Sequence, residues 1–146
     1  MTLPRQRVSL ITLGVRDLDR ARAFYAAWGW EPVQSLPSVI FYRMDGMALG
    51  LFGREDLAAD QGRPGAAMGT GAITLAQNFA DRDGVDAAWV QALSAGAAPL
   101  KAPEAVFWGG YSGYFADPDG HVWELAHNPF WPLDAAGRLT IPDPEA

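Results

Sequence analysis

Apolar and polar positions divide this chain into short strands and two amphipathic helices. Val8 to Val15 is a nearly unbroken apolar run that stops at Arg16-Asp17, the length and composition of a strand buried on both sides. The period then changes: Leu18, Ala21, Phe24 or Tyr25, and Trp28 recur at helical spacing, with Asp17 placed to cap the first turn and Gly29 to end the last. Three strand candidates follow, Pro32 to Leu36, Val39 to Met44 and Met47 to Phe52, the last two joined across Asp45-Gly46. Arg54 to Asp60 reads as a brief helix. Gln61 to Thr70, with Gly62, Pro64, Gly65 and Gly69, reads as a flexible connection.

The second half repeats the first. Gly71 to Phe79 is a strand like Val8 to Val15; Asp81 to Ala95 is a helix with Val85, Ala88, Trp89 and Leu93 on one stripe, closed by Gly96. Ala97 to Lys101 is a further strand, the stretch Pro99 to Gly109 carries a loop, and a hairpin completes the half. Setting Gly46 to Phe52 on Gly120 to Ala126 gives an offset of 74, and Val15 on Phe79 an offset of 64. The drift falls in the middle strands, and both halves read β-α-β-β-β. The predicted fold is α+β: one domain of two βαβββ modules, over about 7–60 and 71–128, with a linker at 61–70 and an extension at 129–146. Each module has one helix for four strands, so one face of each sheet is left to form a trough.

The closing hairpin, Gly110 to Asn128, turns at Asp117-Pro118-Asp119-Gly120, where Pro presets φ and Gly tolerates φ > 0. A four-residue turn pairs Ala116 with His121, Phe115 with Val122 and Gly113 with Glu124. Alternation then puts Tyr111, Phe115, Val122, Glu124 and Ala126 on one face, and Tyr114, Trp123 and Leu125 on the other. A carboxylate on an apolar sheet face is costly to bury without a compensating partner. Glu124 is therefore the foremost candidate site residue. Its expected neighbours on the first strands are Leu10, Thr12 and Gly14, and Ala72, Thr74, Ala76 and Asn78. Phe52, Tyr111 and Phe115 are expected to line the same cavity, with Trp108 at its mouth. Trp28, Trp89, Trp123 and Phe24 are expected to pack helices on sheets. His121 and His127 fall on the face away from Glu124, so no Ser-His-Asp or Cys-His arrangement can be built from them.

Composition narrows the classes of function. In 146 residues there are 17 acidic and 11 basic side chains, a formal charge of −6, and no Lys/Arg cluster, which argues against nucleic acid and anionic membranes as partners. With no Cys there is neither a disulfide framework nor a thiol nucleophile. The early apolar run is too short for a signal h-region or a membrane span, and the expected location is the cytoplasm.

Leu13 to Tyr25, LGVRDLDRARAFY, and Phe115 to Leu125, FADPDGHVWEL, resemble the first strand and helix and the closing hairpin of the vicinal oxygen chelate superfamily. That superfamily includes glyoxalase I, extradiol dioxygenases, fosfomycin-resistance enzymes and bleomycin-binding proteins. The resemblance implies paired βαβββ modules forming a U-shaped mixed sheet around a small-molecule cavity, with helices on the outer face. In metal-dependent members the ligands come from the first and last strand of each module. The corresponding slots here are Leu10, Gly50, Ala72 and Glu124, of which only Glu124 keeps a donor, so neither metal nor other cofactor is expected. The expected function is metal-independent binding of a small aromatic or amphipathic molecule, with Thr12, Phe52, Thr74, Asn78, Trp108, Tyr111, Phe115 and Glu124 as ligand-binding residues. The rival expectation is a metal-free lyase or isomerase using Glu124 as general acid or base; a metal-dependent glyoxalase or dioxygenase ranks third. Phe130, Trp131, Leu133 and Ile141 of the Pro-rich extension are expected to pack over the trough or against another subunit, and relatives commonly form homodimers.

Overall fold

A computed structural model describes residues 4–144 and divides into two units, the boundary falling between Gly69 and Thr70. In the first, β1 (Leu10–Val15), α1 (Leu18–Trp28), β2 (Gln34–Ser35), β3 (Val39–Arg43), β4 (Ala48–Gly53) and α2 (Arg54–Asp60) follow in order. In the second come β5 (Thr74–Asn78), α3 (Arg82–Ser94), β6 (Ala98–Ala105), β7 (Tyr111–Ala116) and β8 (Val122–His127). The two four-stranded sheets have the same permuted order, β1-β4-β3-β2 and β5-β8-β7-β6, each with its first and last strands parallel and the rest antiparallel. This is the α+β duplication read from the sequence. Among the described residues no helix is long and apolar enough to cross a membrane.

The helices form where their caps dictate. Asp17 accepts the Arg20 N–H at 3.1 Å, and Gly29, at φ 114°, donates to Tyr25 and Ala26 to close α1. Asp81 likewise accepts the Gly84 N–H at 2.8 Å to start α3. In the first unit the odd-numbered face of β1 packs on α1: Leu13, Val15, Leu49, Leu51, Ile40 and Tyr42 are buried with Ala21, Phe24, Tyr25 and Trp28. Each fully buried side chain of this size contributes about 1.5–3 kcal/mol. Tyr25 stacks on Trp30 with ring centroids 5.4 Å apart. In the second unit Phe115, Trp123 and Leu125 are buried on the α3 side with Val85 and Ala92, and the rings of Phe115 and Trp123 lie 6.5 Å apart, nearly parallel.

The closing hairpin departs from the sequence reading by one residue. Asp117 N–H donates to the His121 carbonyl at 2.9 Å, and Gly120, at φ 89°, donates to the Asp117 carbonyl at 3.0 Å. The loop is therefore Pro118-Asp119-Gly120, a turn closed by a left-handed glycine in the manner of a G1 bulge. The Asp117 carboxylate accepts the N–H groups of Asp119 and His121, each at 2.9 Å. The register becomes Ala116 with Val122, Phe115 with Trp123, and Tyr114 with Glu124. A one-residue slip exchanges the faces of a strand, so β7 presents Ser112, Tyr114 and Ala116 beside Glu124, while Tyr111, Gly113 and Phe115 point the other way.

Two further segments exceed the sequence reading. Strand β6 runs through Pro99 and Pro103 to Ala105, which an edge strand permits because its outer N–H groups need no partner. Its pairing with β7 shifts register twice, and the shift leans on Gly113, where a Cβ would lie 2.8 Å from the Pro103 nitrogen. The extension folds into a small hairpin: Leu133 bridges Leu139, Asp134 N–H donates to Arg138 O, and Gly137, at φ 83°, donates to Asp134 O. The Asp134 carboxylate accepts the N–H groups of Ala136 and Arg138, each at 2.9 Å. The Asp117 turn and the Asp134 turn thus share one pattern, Asp-x-x-Gly.

Candidate ligand-binding site

Glu124 sits in the middle of β8, half-buried, on the face away from α3. The register sets Ala76 of β5 on one side of it and Tyr114 of β7 on the other. The Tyr114 hydroxyl is held above its ordinary pKa by burial first, then by the Glu124 charge and its hydrogen bond with that carboxylate. Tyr114 is thus the neutral donor to Glu124. It is a site residue that sequence reasoning missed, and the Asp-x-x-Gly turn was the signal that would have found it.

Around Glu124 lies a cavity of about 570 Å³ lined by Ala76, Asn78, Trp108, Glu124, Ala126, Asn128, Phe130, Trp131 and Leu139. Ala76 and Ala126 contribute only methyl groups to the lining, while Trp108, Phe130 and Trp131 contribute aromatic rings. Trp108 and Phe130 reach their places because Gly110 and Gly109 carry no side chain: a Cβ on Gly110 would fall 2.0 Å from the Trp108 ring, and one on Gly109 would fall 3.2 Å from the Phe130 ring. Asn128 shapes the exit from β8, its Oδ1 accepting the Phe130 N–H at 2.9 Å. The tail hairpin brings Leu139 to the same wall, while Leu133 lines a neighbouring depression over Ala76 to Phe79.

Of the expected residues, Asn78, Trp108 and Glu124 come together here, joined by Phe130 and Trp131 of the extension. Thr74 shares the Glu124 face but is exposed and outside the lining. Tyr111 and Phe115 are corrections. Phe115 is fully buried on the α3 side, and the Tyr111 hydroxyl donates to Asp86 of α3 at 2.7 Å, with the Arg82 guanidinium 5.0 Å from its ring centre. Ile141 is exposed. His127 points away from Glu124, its Nδ1 3.0 Å from the Phe79 carbonyl, and His121 is buried beside the turn.

In the first unit the row equivalent to Ala76, Glu124 and Tyr114 is Thr12, Gly50 and Phe41. A Cβ on Gly50 would lie 3.3 Å from the Phe41 ring and 3.4 Å from Thr12 Oγ1, so that ring occupies the space a side chain would take. Phe52 lies on the same face as Thr12, both half-buried. Helix α2 lies over the Gly14 end of this face, with Leu57 3.2 Å from where a Cβ on Gly14 would sit.

The profile of the Glyoxalase/Bleomycin resistance protein/Dioxygenase superfamily matches residues 7–125. The chain belongs to that superfamily. Among solved structures, this superfamily member resembles a glyoxalase-related enzyme from Fulvimarina pelagi at 38% identity and a TM-score of 0.86, over 94% of this chain and 99% of the other. It also resembles a lactoylglutathione lyase from Agrobacterium tumefaciens at 27% identity and TM-score 0.67, over 88% and 98% of the two chains. A superfamily enzyme from Burkholderia phytofirmans, at 21% identity and TM-score 0.71 over 82% and 96%, shares the fold. No curated protein shows significant similarity to the chain.

A divalent ion needs several converging donors, and of the four slots named from the resemblance Leu10, Gly50 and Ala72 carry none while Glu124 carries one carboxylate. The Gly50 row offers one threonine hydroxyl, Leu10 is apolar and pairs with Ala48, and Ala72 precedes β5. Among the described residues no three His, Cys, Asp or Glu side chains gather where they could hold a metal.

Proposed function

We propose that this superfamily member binds a small aromatic or amphipathic molecule in the Glu124 cavity, without a metal ion. The observation that carries this reading is the lining: three aromatic rings and Leu139 around a space of about 570 Å³, with Glu124 and Asn78 as convergent polar groups. Small-molecule sites are built this way, mostly apolar with a few orienting polar atoms. The depression of about 360 Å³ between Val15, Arg16 and the start of α2 is walled instead by Arg54, Glu55 and Asp56, and offers a flat ligand little to stack on. Exposed Phe107 and Ile141 support self-association as a homodimer, which sedimentation would read. The binding test is a thermal-shift screen against metabolites and antibiotics, followed by titration of intrinsic Trp fluorescence. A ligand that binds only the folded state raises the melting temperature. Trp108→Ala should lower its affinity, and hits unaffected by Trp108→Ala would place binding elsewhere.

The hydrogen-bonded Tyr114 and Glu124 pair supports a second reading, a metal-free lyase or isomerase. Glu124 would accept a proton from the substrate while Tyr114 fixes the carboxylate's orientation. Glu124→Gln separates the two readings: a binder loses affinity modestly, whereas an acid-base enzyme loses on the order of 10²-fold or more in turnover.

A further inference from the structure

We propose that the ligand is an organic cation, an aromatic or amphipathic amine whose positive nitrogen sits against Glu124 inside the wall formed by Trp108, Phe130 and Trp131; this rests on the cavity reading above. Among the described residues the cavity lining contains one ionisable side chain, the acidic Glu124, and no Lys, Arg or His. Glu124 receives a hydrogen bond from the neutral Tyr114 hydroxyl, which satisfies one acceptor position and leaves the charge uncompensated. An ionised carboxylate has about four acceptor positions, so capacity remains on the side facing the cavity.

Each class of ligand meets this arrangement differently. An anion would bring a second negative charge beside Glu124 with no basic group between them. A neutral apolar ligand would strip water from the carboxylate and return nothing for it. A cation compensates the charge and is attracted as well to the electron-rich faces of the indole and benzene rings, the arrangement by which aromatic walls recognise substituted ammonium groups. The chain's formal charge of −6 favours the same sign of ligand at a distance.

The test uses three probes of matched shape on the full chain: benzyltrimethylammonium, its uncharged carbon analogue neopentylbenzene, and phenylmethanesulfonate. Affinities are read by Trp fluorescence at neutral pH and low salt. The expected result is that the cation binds about tenfold or more tighter than the carbon analogue, that the sulfonate does not compete, and that Glu124→Gln abolishes the cation's advantage, whereas an advantage that persists in Glu124→Gln overturns the inference. An unchanged urea-unfolding midpoint shows the variant to be folded. If the carbon analogue or the sulfonate binds as tightly as the cation, the inference falls and the cavity reading stands. If no probe of any charge binds, both fall.

Discussion

The two Asp-x-x-Gly turns provide an internal control on the value of a buried carboxylate, and replacing each Asp by Ala tests it. In both turns the carboxylate accepts two backbone N–H groups at 2.9 Å. The difference is solvent: Asp117 is 3% exposed and His121 8%, whereas Asp134 and its partners are exposed. Hydrogen bonds to a charged acceptor are worth about 1.5–3 kcal/mol each, and a buried donor left without a partner bears its full desolvation cost. Asp117→Ala removes two such bonds at once and should cost about 3–5 kcal/mol, roughly 10–15 °C in melting temperature at about 3 °C per kcal/mol for a chain of this size. Asp134→Ala exposes its two donors to water and should cost about 1 kcal/mol or less. Asp117→Asn keeps one acceptor oxygen and should fall between. The assay is urea unfolding followed by Trp fluorescence, comparing midpoints at unchanged slope. Equal losses for Asp117→Ala and Asp134→Ala, within about 0.5 kcal/mol, would refute the argument that burial sets the difference.

Other outcomes follow from single groups. Among the described residues the buried Tyr42 hydroxyl has no hydrogen-bond partner, so Tyr42→Phe should stabilise the protein by about 1 kcal/mol, checked by the same unfolding assay. Burial also holds the Tyr42 hydroxyl above its ordinary value, opposed by the charge of Arg22. For Tyr114, raised by burial and then by Glu124, the sign runs likewise: above the unfolded-state value of 10.0 the unfolded chain releases its proton first, so stability falls as pH rises through that range. Melting curves should therefore show a shallower alkaline decline in Tyr114→Phe than in the wild type. Gly110→Ala places a methyl where the Trp108 ring lies and should weaken any cavity ligand by about tenfold, the value of one lost aromatic contact, while far-UV circular dichroism stays unchanged.

The helices and the duplication were legible because their signals are local and redundant. Asp17, Asp81 and Gly29 mark helix ends through bonds each residue makes within its own turn, and apolar spacing fills the intervals. The sequence of elements in each half followed from the repeat. The face of β7 was not legible, because it depends on whether Gly120 lies inside the loop or in the ladder, a choice between two turn geometries that share the same residues. That single residue removed Tyr111 and Phe115 from the Glu124 face and brought Tyr114 to it. The length of β6 was hidden by Pro99 and Pro103, which read as breakers until the strand is known to be an edge. The cavity wall was only half visible: Phe130 and Trp131 stood out as apolar residues in need of cover, but the tail hairpin that adds Leu139 repeats a turn whose first copy had been misread.

The Thr12, Gly50 and Phe41 row has an implication for redesign. With the Phe41 ring resting 3.3 Å from where a Cβ on Gly50 would lie, an acid written back at that position to mirror Glu124 crowds its aromatic neighbour. A return to twin acids therefore turns on the half-buried Phe41 ring yielding by a few tenths of an ångström, and a smaller residue at position 41 removes that demand.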